Sequence, residues 1–283
     1  MRYEFFQSRS YMDTIQSVRG VMNYTVDNGL PPDYYFYEPD PSLKLNPPGT
    51  DAREVDIEDG WDRAEQFNVD REGFELREVD ASFVRFEDDA AIHREFYPQV
   101  VSQIKAWTGA KEVVIFDHTL RRRMAADLKV QTEVSRPAVT LVHSDYTVLS
   151  GPQRVREVMG DRAEPLLQRR VAFYNLWKPL TRRVEELPLA MIDAQTDEDA
   201  DFLRMDLKYS ERTGEIYVMR HSDQHRWVYF PHMEAHHALL LKTYDSCTDG
   251  RCRFMGHSAF EDPSTPADAL PRESIEVRTM AFF

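Results

Sequence analysis

Long apolar runs are missing from this 283-residue chain. No window approaches the roughly 20 consecutive apolar residues a membrane-spanning helix needs, and no signal-peptide stretch opens the sequence. The expectation is a soluble, cytoplasmic protein with no membrane partner. Cysteine is scarce. Cys247 and Cys252 are the two thiols, and without a second pair they make neither a disulfide scaffold nor a structural zinc site. Basic charge is in deficit: 35 Lys and Arg against 49 Asp and Glu leave a formal charge of -14, which argues against nucleic acid as a partner. The run Arg121-Arg122-Arg123 is the nearest approach to a basic patch, and surface pairing with the excess carboxylates accounts for it equally well. Aromatics, in contrast, are plentiful. Sixteen Phe and thirteen Tyr exceed what a small helical bundle needs, and the length suits one large β or barrel core as well as two modest domains.

Residues 1–80 alternate apolar and polar in patches, at Tyr3 and Phe5 and again at Tyr34 to Tyr37, interrupted by Pro31-Pro32, Pro39, Pro41 and Pro47-Pro48-Gly49. That punctuation predicts short strands and long loops, an N-terminal arm packed on a main body that spans residues 81–283. From Asp88 to Trp107 the period lengthens. Ile92, Phe96, Val100, Ile104 and Trp107 share one helical face, and Thr108-Gly109 ends it. Glu112 to Phe116 reads as a buried strand, with His118 at its end, where pocket residues often sit. Helices are expected around Gln153 to Met159 and Pro165 to Arg170, and extended chain over Phe173 to Pro179, where Asn175 and Lys178 could face a ligand. Leu187 to Ile192 reads as a strand. Asp197, Glu198 and Asp199 open what reads as a helix, with Phe202, Met205 and Tyr209 on one face. Glu215 to Arg220 and Arg226 to Phe230 read as a hairpin. His232 and His236 would be four apart on a helix, but no Glu sits at the metalloprotease position between them, so solvated or core-edge histidines are the better reading.

Thr140 to Thr147 reads as a strand on which His143 and Asp145, two apart, point to one side. An imidazole and a carboxylate so placed supply two of the three ligands of a 2-His-1-carboxylate site. His257, in the extended apolar stretch Phe254 to Phe260, offers the third. The terminal strand Arg272 to Phe282 puts Ile275, Val277, Thr279 and Ala281 on one face and Arg272, Ser274, Glu276 and Arg278 on the other. A guanidinium beside a hydroxyl is a receptor for a carboxylate.

His143, Asp145, His257, Arg272 and Ser274, in that order, resemble the active-site series of the iron(II)/2-oxoglutarate-dependent oxygenases. The likeness extends through ordered blocks: Val114 to Thr119, Val142 to Thr147, Asn175 to Pro179 with Pro188-Leu189-Ala190, Tyr244-Asp245-Ser246, His257 to Phe260 and Pro271 to Arg278. These look like the hydroxylase/desaturase family that includes the cephamycin 7-methoxylation partner protein, gibberellin desaturase-like proteins and fungal natural-product oxygenases. The resemblance implies a double-stranded β-helix (jelly-roll or cupin-like) core with flanking helices. It implies iron(II) held by His143, Asp145 and His257, 2-oxoglutarate anchored by Arg272 with Ser274, and O2 as second co-substrate. Arg278 competes as the anchor. His118, Asn175 and Trp177 are implied as pocket residues, and Arg121 or Arg123 could meet an acidic group of a substrate. The substrate implied is a small organic secondary metabolite, hydroxylated, desaturated or cyclised after hydrogen abstraction. Two other classes fit the same fold: a metal-dependent oxidase or isomerase that needs no keto-acid, and a non-catalytic or partner-dependent accessory protein. A homodimer and an accessory enzyme partner are both open.

Overall fold

The computed structural model describes residues 16–122, 135–136 and 138–283, which leaves Tyr3, Phe5 and Arg123 outside the described residues. The elements run β1 (Ser17–Tyr24), β2 (Asp33–Tyr35), β3 (Asp51–Asp59), β4 (Phe74–Glu78), α1 (Asp89–Ala91), α2 (Tyr97–Thr108), β5 (Glu112–Arg122), β6 (Ser135–Arg136) and β7 (His143–Ser144). They continue α3 (Ser150–Met159), α4 (Ala163–Leu167), β8 (Val171–Pro179), β9 (Leu189–Ile192), β10 (Phe202–Lys208), β11 (Thr213–Met219), β12 (Trp227–Tyr229), β13 (His237–Asp245), β14 (His257–Ala259) and β15 (Glu273–Phe282). Two sheets form, in strand orders β1-β3-β12-β9-β14-β7-β11-β10-β2 and β4-β13-β8-β15-β5-β6. They pack face to face as a jelly roll. The first eighty residues supply strands to both sheets: β1 pairs with β3, and β4 with β13.

Why the smaller sheet is buried on both faces follows from strand parity. Along β8, Ala172, Tyr174 and Leu176 join Ile92, Val100 and Ile104 of the helical segment in one apolar cluster. Trp177, with Leu239 and Leu241 of β13, instead packs toward Met191 and Val228 of the larger sheet. All nine residues of β8 are therefore buried, as expected of a strand covered on both sides. The covering helix starts where the Asp88 carboxylate accepts from the Ala91 amide, passes through a π turn over Ile92–Phe96, and stops at Gly109, whose left-handed φ of 73° suits glycine.

Three expectations are corrected. The stretch opened by Asp197 is not helical beyond a short turn at Asp199–Asp201; Phe202 begins β10, which pairs along its length with β11. The spacing of Phe202, Met205 and Tyr209 imitates a helical face, but strand pairing overrides it. Glu215 to Arg220 and Arg226 to Phe230 are not a hairpin, since β11 pairs with β10 and β7 while β12 lies between β3 and β9. No helix begins near Met233, so His232 and His236 do not share a helical face.

Near one end of β8 and β13 lies a buried ion cluster. The Asp245 carboxylate accepts from Arg170 Nη2 at 2.7 Å, Lys242 Nζ at 3.1 Å and the Cys247 amide at 3.0 Å, while Lys242 also pairs with Asp70. Lys242 and Asp245 are both fully buried. Asp245→Ala would leave the buried Lys242 ammonium with the half-exposed Asp70 carboxylate as its counter-ion, and we expect a loss of about 3 kcal/mol, read from the midpoint of urea unfolding.

Candidate metal and co-substrate site

β7 is only two residues long, but its pairing places the site. His143 lies directly opposite His257 of β14, and β14 pairs on its other side with β9. The two imidazole centroids are 4.4 Å apart. Asp145 follows β7, its Oδ1 3.6 Å from His143 Nε2, and one ligand atom from each of His143, Asp145 and His257 falls within a 4.8 Å span. Gly256, just ahead of His257, has no room for a side chain, because a Cβ there would overlap the Met219 sulfur.

Hydrogen bonds settle which atoms face the gap. His143 Nδ1 lies 2.7 Å from the Leu141 carbonyl and His257 Nδ1 3.3 Å from the Met255 carbonyl. A carbonyl only accepts, so each Nδ1 carries a proton, and in the neutral tautomer it is Nε2 that would offer a lone pair to a metal. Burial, reinforced by His257, pushes His143 down to about 4. The carboxylate behaves oppositely. Burial alone would raise Asp145, but Arg278, the two imidazoles and the Asn175 amide outweigh it and hold the carboxyl well below the usual range. Asn175 Nδ2 donates to Asp145 Oδ2 at 2.6 Å and to Glu276 Oε1 at 2.7 Å. Two neutral imidazoles and one ionised carboxylate form the donor set of a non-haem iron(II) centre, so the residues present fit the metal.

The pH behaviour has a definite sign. An unfolded imidazole titrates near 6.5 and folded His143 near 4, so the unfolded chain binds the extra proton between those values. The metal-free fold is expected to lose about 3 kcal/mol as pH falls from about 6.5 through 4, and His143→Gln to remove that part of the slope, measured by chemical unfolding across the range.

The two arginines differ in their surroundings. Arg278 reaches Asp145 Oδ2 at 3.3 Å, Glu276 Oε2 at 2.9 Å, Thr119 Oγ1 at 2.8 Å and Asp117 Oδ2 at 3.3 Å. That cation is committed to protein carboxylates. Arg272 is buried and donates to the Leu187 carbonyl, and its guanidinium lies 5.7 Å from the Trp177 ring centroid. Leu187 itself sits at φ 48°, a strained conformation for a branched side chain. Burial, then the neighbouring Arg121, lowers the Arg272 pKa, offset in part by Glu276 and Glu186. Two residues on, the Ser274 hydroxyl is fully buried with no hydrogen-bond partner. An under-compensated guanidinium beside an unpaired hydroxyl fits a buried carboxylate such as the distal end of 2-oxoglutarate.

The structure thus brings His143, Asp145, His257, Asn175, Trp177, Arg121, Arg272, Ser274 and Arg278 to one interior. Arg121 pairs across from Ser274 and its Nη2 lies 3.7 Å from Glu276 Oε2. His118 and Lys178 are not brought there. Opposite Arg278 and Thr279 the β5–β15 register shifts by one, and this bulge reverses parity: Asp117, Thr119 and Arg121 turn inward and His118 turns out toward Tyr97. Lys178, one residue from Trp177, points to the same outer side, where its Nζ lies 5.2 Å from the Phe86 ring centroid. Sequence reasoning assigned no role to Glu276, Asp117 and Thr119, which frame Arg278; the alternation of β15 already put Glu276 on the site face.

A jelly roll carrying two histidines and an aspartate at the same end of adjoining strands defines the class of double-stranded β-helix, non-haem metal oxygenases. Residues 22–282 match the protein family described as "Oxidoreductase/YMDC permease-like domain". Among curated proteins, the Fe(II)/2-oxoglutarate-dependent dioxygenase nvfI of Aspergillus novofumigatus is 28% identical over 256 residues, covering 88% of this chain and 90% of that protein. Hydroxylase/desaturase poxK of Penicillium oxalicum is 30% identical over 266 residues, covering 81% and 78%. The solved structure of the iron and alpha-ketoglutarate-dependent endoperoxidase NvfI shares the fold, with TM-score 0.84 and 24% identity over 94% of this chain and 98% of that one. The chain belongs to this oxidoreductase family of iron(II)/2-oxoglutarate-dependent hydroxylase/desaturases. As for the word permease, no helix among the described residues is long and apolar enough to cross a membrane.

Proposed function

We propose that this protein uses iron(II), 2-oxoglutarate and O2 to hydroxylate, desaturate or cyclise a small organic secondary metabolite. The convergence of His143, Asp145 and His257 within 4.8 Å supports this reading most directly. In it, the two Nε2 atoms and the Asp145 carboxylate hold the metal, and Arg278 with Asn175 keeps that carboxylate charged and aimed. Arg272 and Ser274 take the distal carboxylate of 2-oxoglutarate, so the keto-acid end is presented in one orientation. The bound metal supplies oxidative decarboxylation of the keto acid to succinate coupled to hydrogen abstraction from substrate carbon. Trp177, with the apolar residues between the sheets, excludes water from that interior, and Arg121 is positioned to meet an anionic group.

The first eighty residues serve here as an arm that extends both sheets and shapes one end of the pocket. Free Cys247 and Cys252 suit a reducing, cytoplasmic setting. No nucleic acid or membrane partner is required by the reading. A self-contained enzyme releases succinate from 2-oxoglutarate only when Fe(II) and O2 are supplied, and His257→Ala abolishes the release. Succinate formation independent of iron would contradict the proposal, as would a wild type that binds both cofactors and releases none with any candidate metabolite.

A further inference from the structure

Outside the described interior, a second cluster of metal-ligating side chains joins the helical layer to the smaller sheet. Asp89 Oδ1 lies 3.5 Å from His118 Nε2, and Asp89 Oδ2 lies 3.3 Å from His93 Nδ1. One donor atom from each of the three falls within 4.8 Å. Four ligands at about 2.1 Å around a tetrahedral ion stand about 3.4 Å from one another, close to the two carboxylate–imidazole distances here, one to each Asp89 oxygen. We propose that Asp89, His93 and His118 form a second divalent-cation site, of the zinc class, on the outer face of the smaller sheet.

Three further observations carry the assignment. His118 is buried, its side chain 7% exposed, and its Nε2 has no hydrogen-bond partner although it points toward the Asp89 carboxylate. Its other ring nitrogen lies 2.7 Å from the Tyr97 hydroxyl, so Nδ1–H can donate there and leave Nε2 with its lone pair, the outer partner typical of a metal-bound imidazole. Asp89 and His93 are one helical turn apart and exposed, so a cation can enter from solvent. His93 Nδ1 also lies 2.8 Å from the Asp89 backbone carbonyl, to which its N–H donates in the metal-free protein; a cation would displace that proton and take the freed lone pair. Two imidazoles and one carboxylate favour zinc-class ions over magnesium or calcium, which prefer oxygen donors. A water would complete four-coordination. Bound there, the ion would tie α1 to β5, whose inward side chains Thr119 and Arg121 line the interior already described.

The test compares zinc uptake by the full chain, by equilibrium dialysis with metal analysis, in wild type, Asp89→Asn and His93→Ala. Both substituted residues are exposed, so the variants should fold as wild type does, which circular dichroism checks. Each variant should bind one zinc equivalent fewer than wild type, and thermal unfolding of wild type should shift upward with zinc by more than that of either variant. This difference holds whatever the ion at His143, Asp145 and His257, so failure here and failure there are distinguishable. Equal stoichiometry in wild type and both variants would overturn the proposal.

Discussion

Asp145→Ala is expected to abolish stoichiometric Fe(II) binding and, with it, turnover. In four-ligand zinc sites the binding free energy of about 10–16 kcal/mol averages roughly 2.5–4 kcal/mol per ligand, so loss of one ligand should weaken affinity on the order of 10²–10³-fold. The effect here should sit at the upper end, because the residue lost is the one anion of the set. Asp145 also answers Arg278 at 3.3 Å and Asn175 at 2.6 Å, and both donors would be left pointing at the emptied position. Asp145→Asn tests the charge separately: shape is kept, the anion is not, and iron affinity should still fall sharply. His143→Ala and His257→Ala should each act in the same direction. Anaerobic equilibrium dialysis with Fe(II) measures all four, and unchanged stoichiometric binding in the three alanine variants would refute the assignment.

Arg272→Ala is expected to weaken 2-oxoglutarate binding on the order of 100-fold while leaving iron binding intact. A buried guanidinium–carboxylate pair that loses one partner costs about 2–5 kcal/mol, and the hydrogen bond Arg272 makes among the described residues goes to the neutral Leu187 carbonyl. Ser274→Ala should follow with a several-fold effect, about 1 kcal/mol for one hydroxyl donor. Arg278→Ala should differ in kind. Its guanidinium holds Asp145 and Glu276, so its removal should lower iron affinity and fold stability before it touches the keto acid. Isothermal titration of 2-oxoglutarate into anaerobic iron-loaded protein separates the two; a larger loss in Arg278→Ala would move the anchor there.

Much of this interior was legible because strand alternation is a strict period. The parity of β15 placed Arg272, Ser274, Glu276 and Arg278 together without any knowledge of the fold, and the His143-x-Asp145 spacing did the same for two donors. What alternation cannot announce is its own interruption. The bulge opposite Arg278 and Thr279 sends His118 to the helical layer instead of the pocket, and nothing in Phe116-Asp117-His118 signals it. β10 was misread for a related reason: three apolar residues at helical spacing fit a strand when β11 and β2 are there to pair with it. The frame around Arg278 depends on β5, β8 and β15 meeting, a long-range fact that local patterning does not contain.

The central claim, an iron(II) centre that takes a keto acid in two-point contact, is tested most directly by anaerobic addition of 2-oxoglutarate to the Fe(II)-loaded protein. A visible metal-to-ligand charge-transfer band should develop with one equivalent of each, vanish in His143→Ala, and require far more 2-oxoglutarate in Arg272→Ala. Stoichiometric iron binding with no band at saturating 2-oxoglutarate would contradict the account and point to a keto-acid-independent oxidase on the same fold.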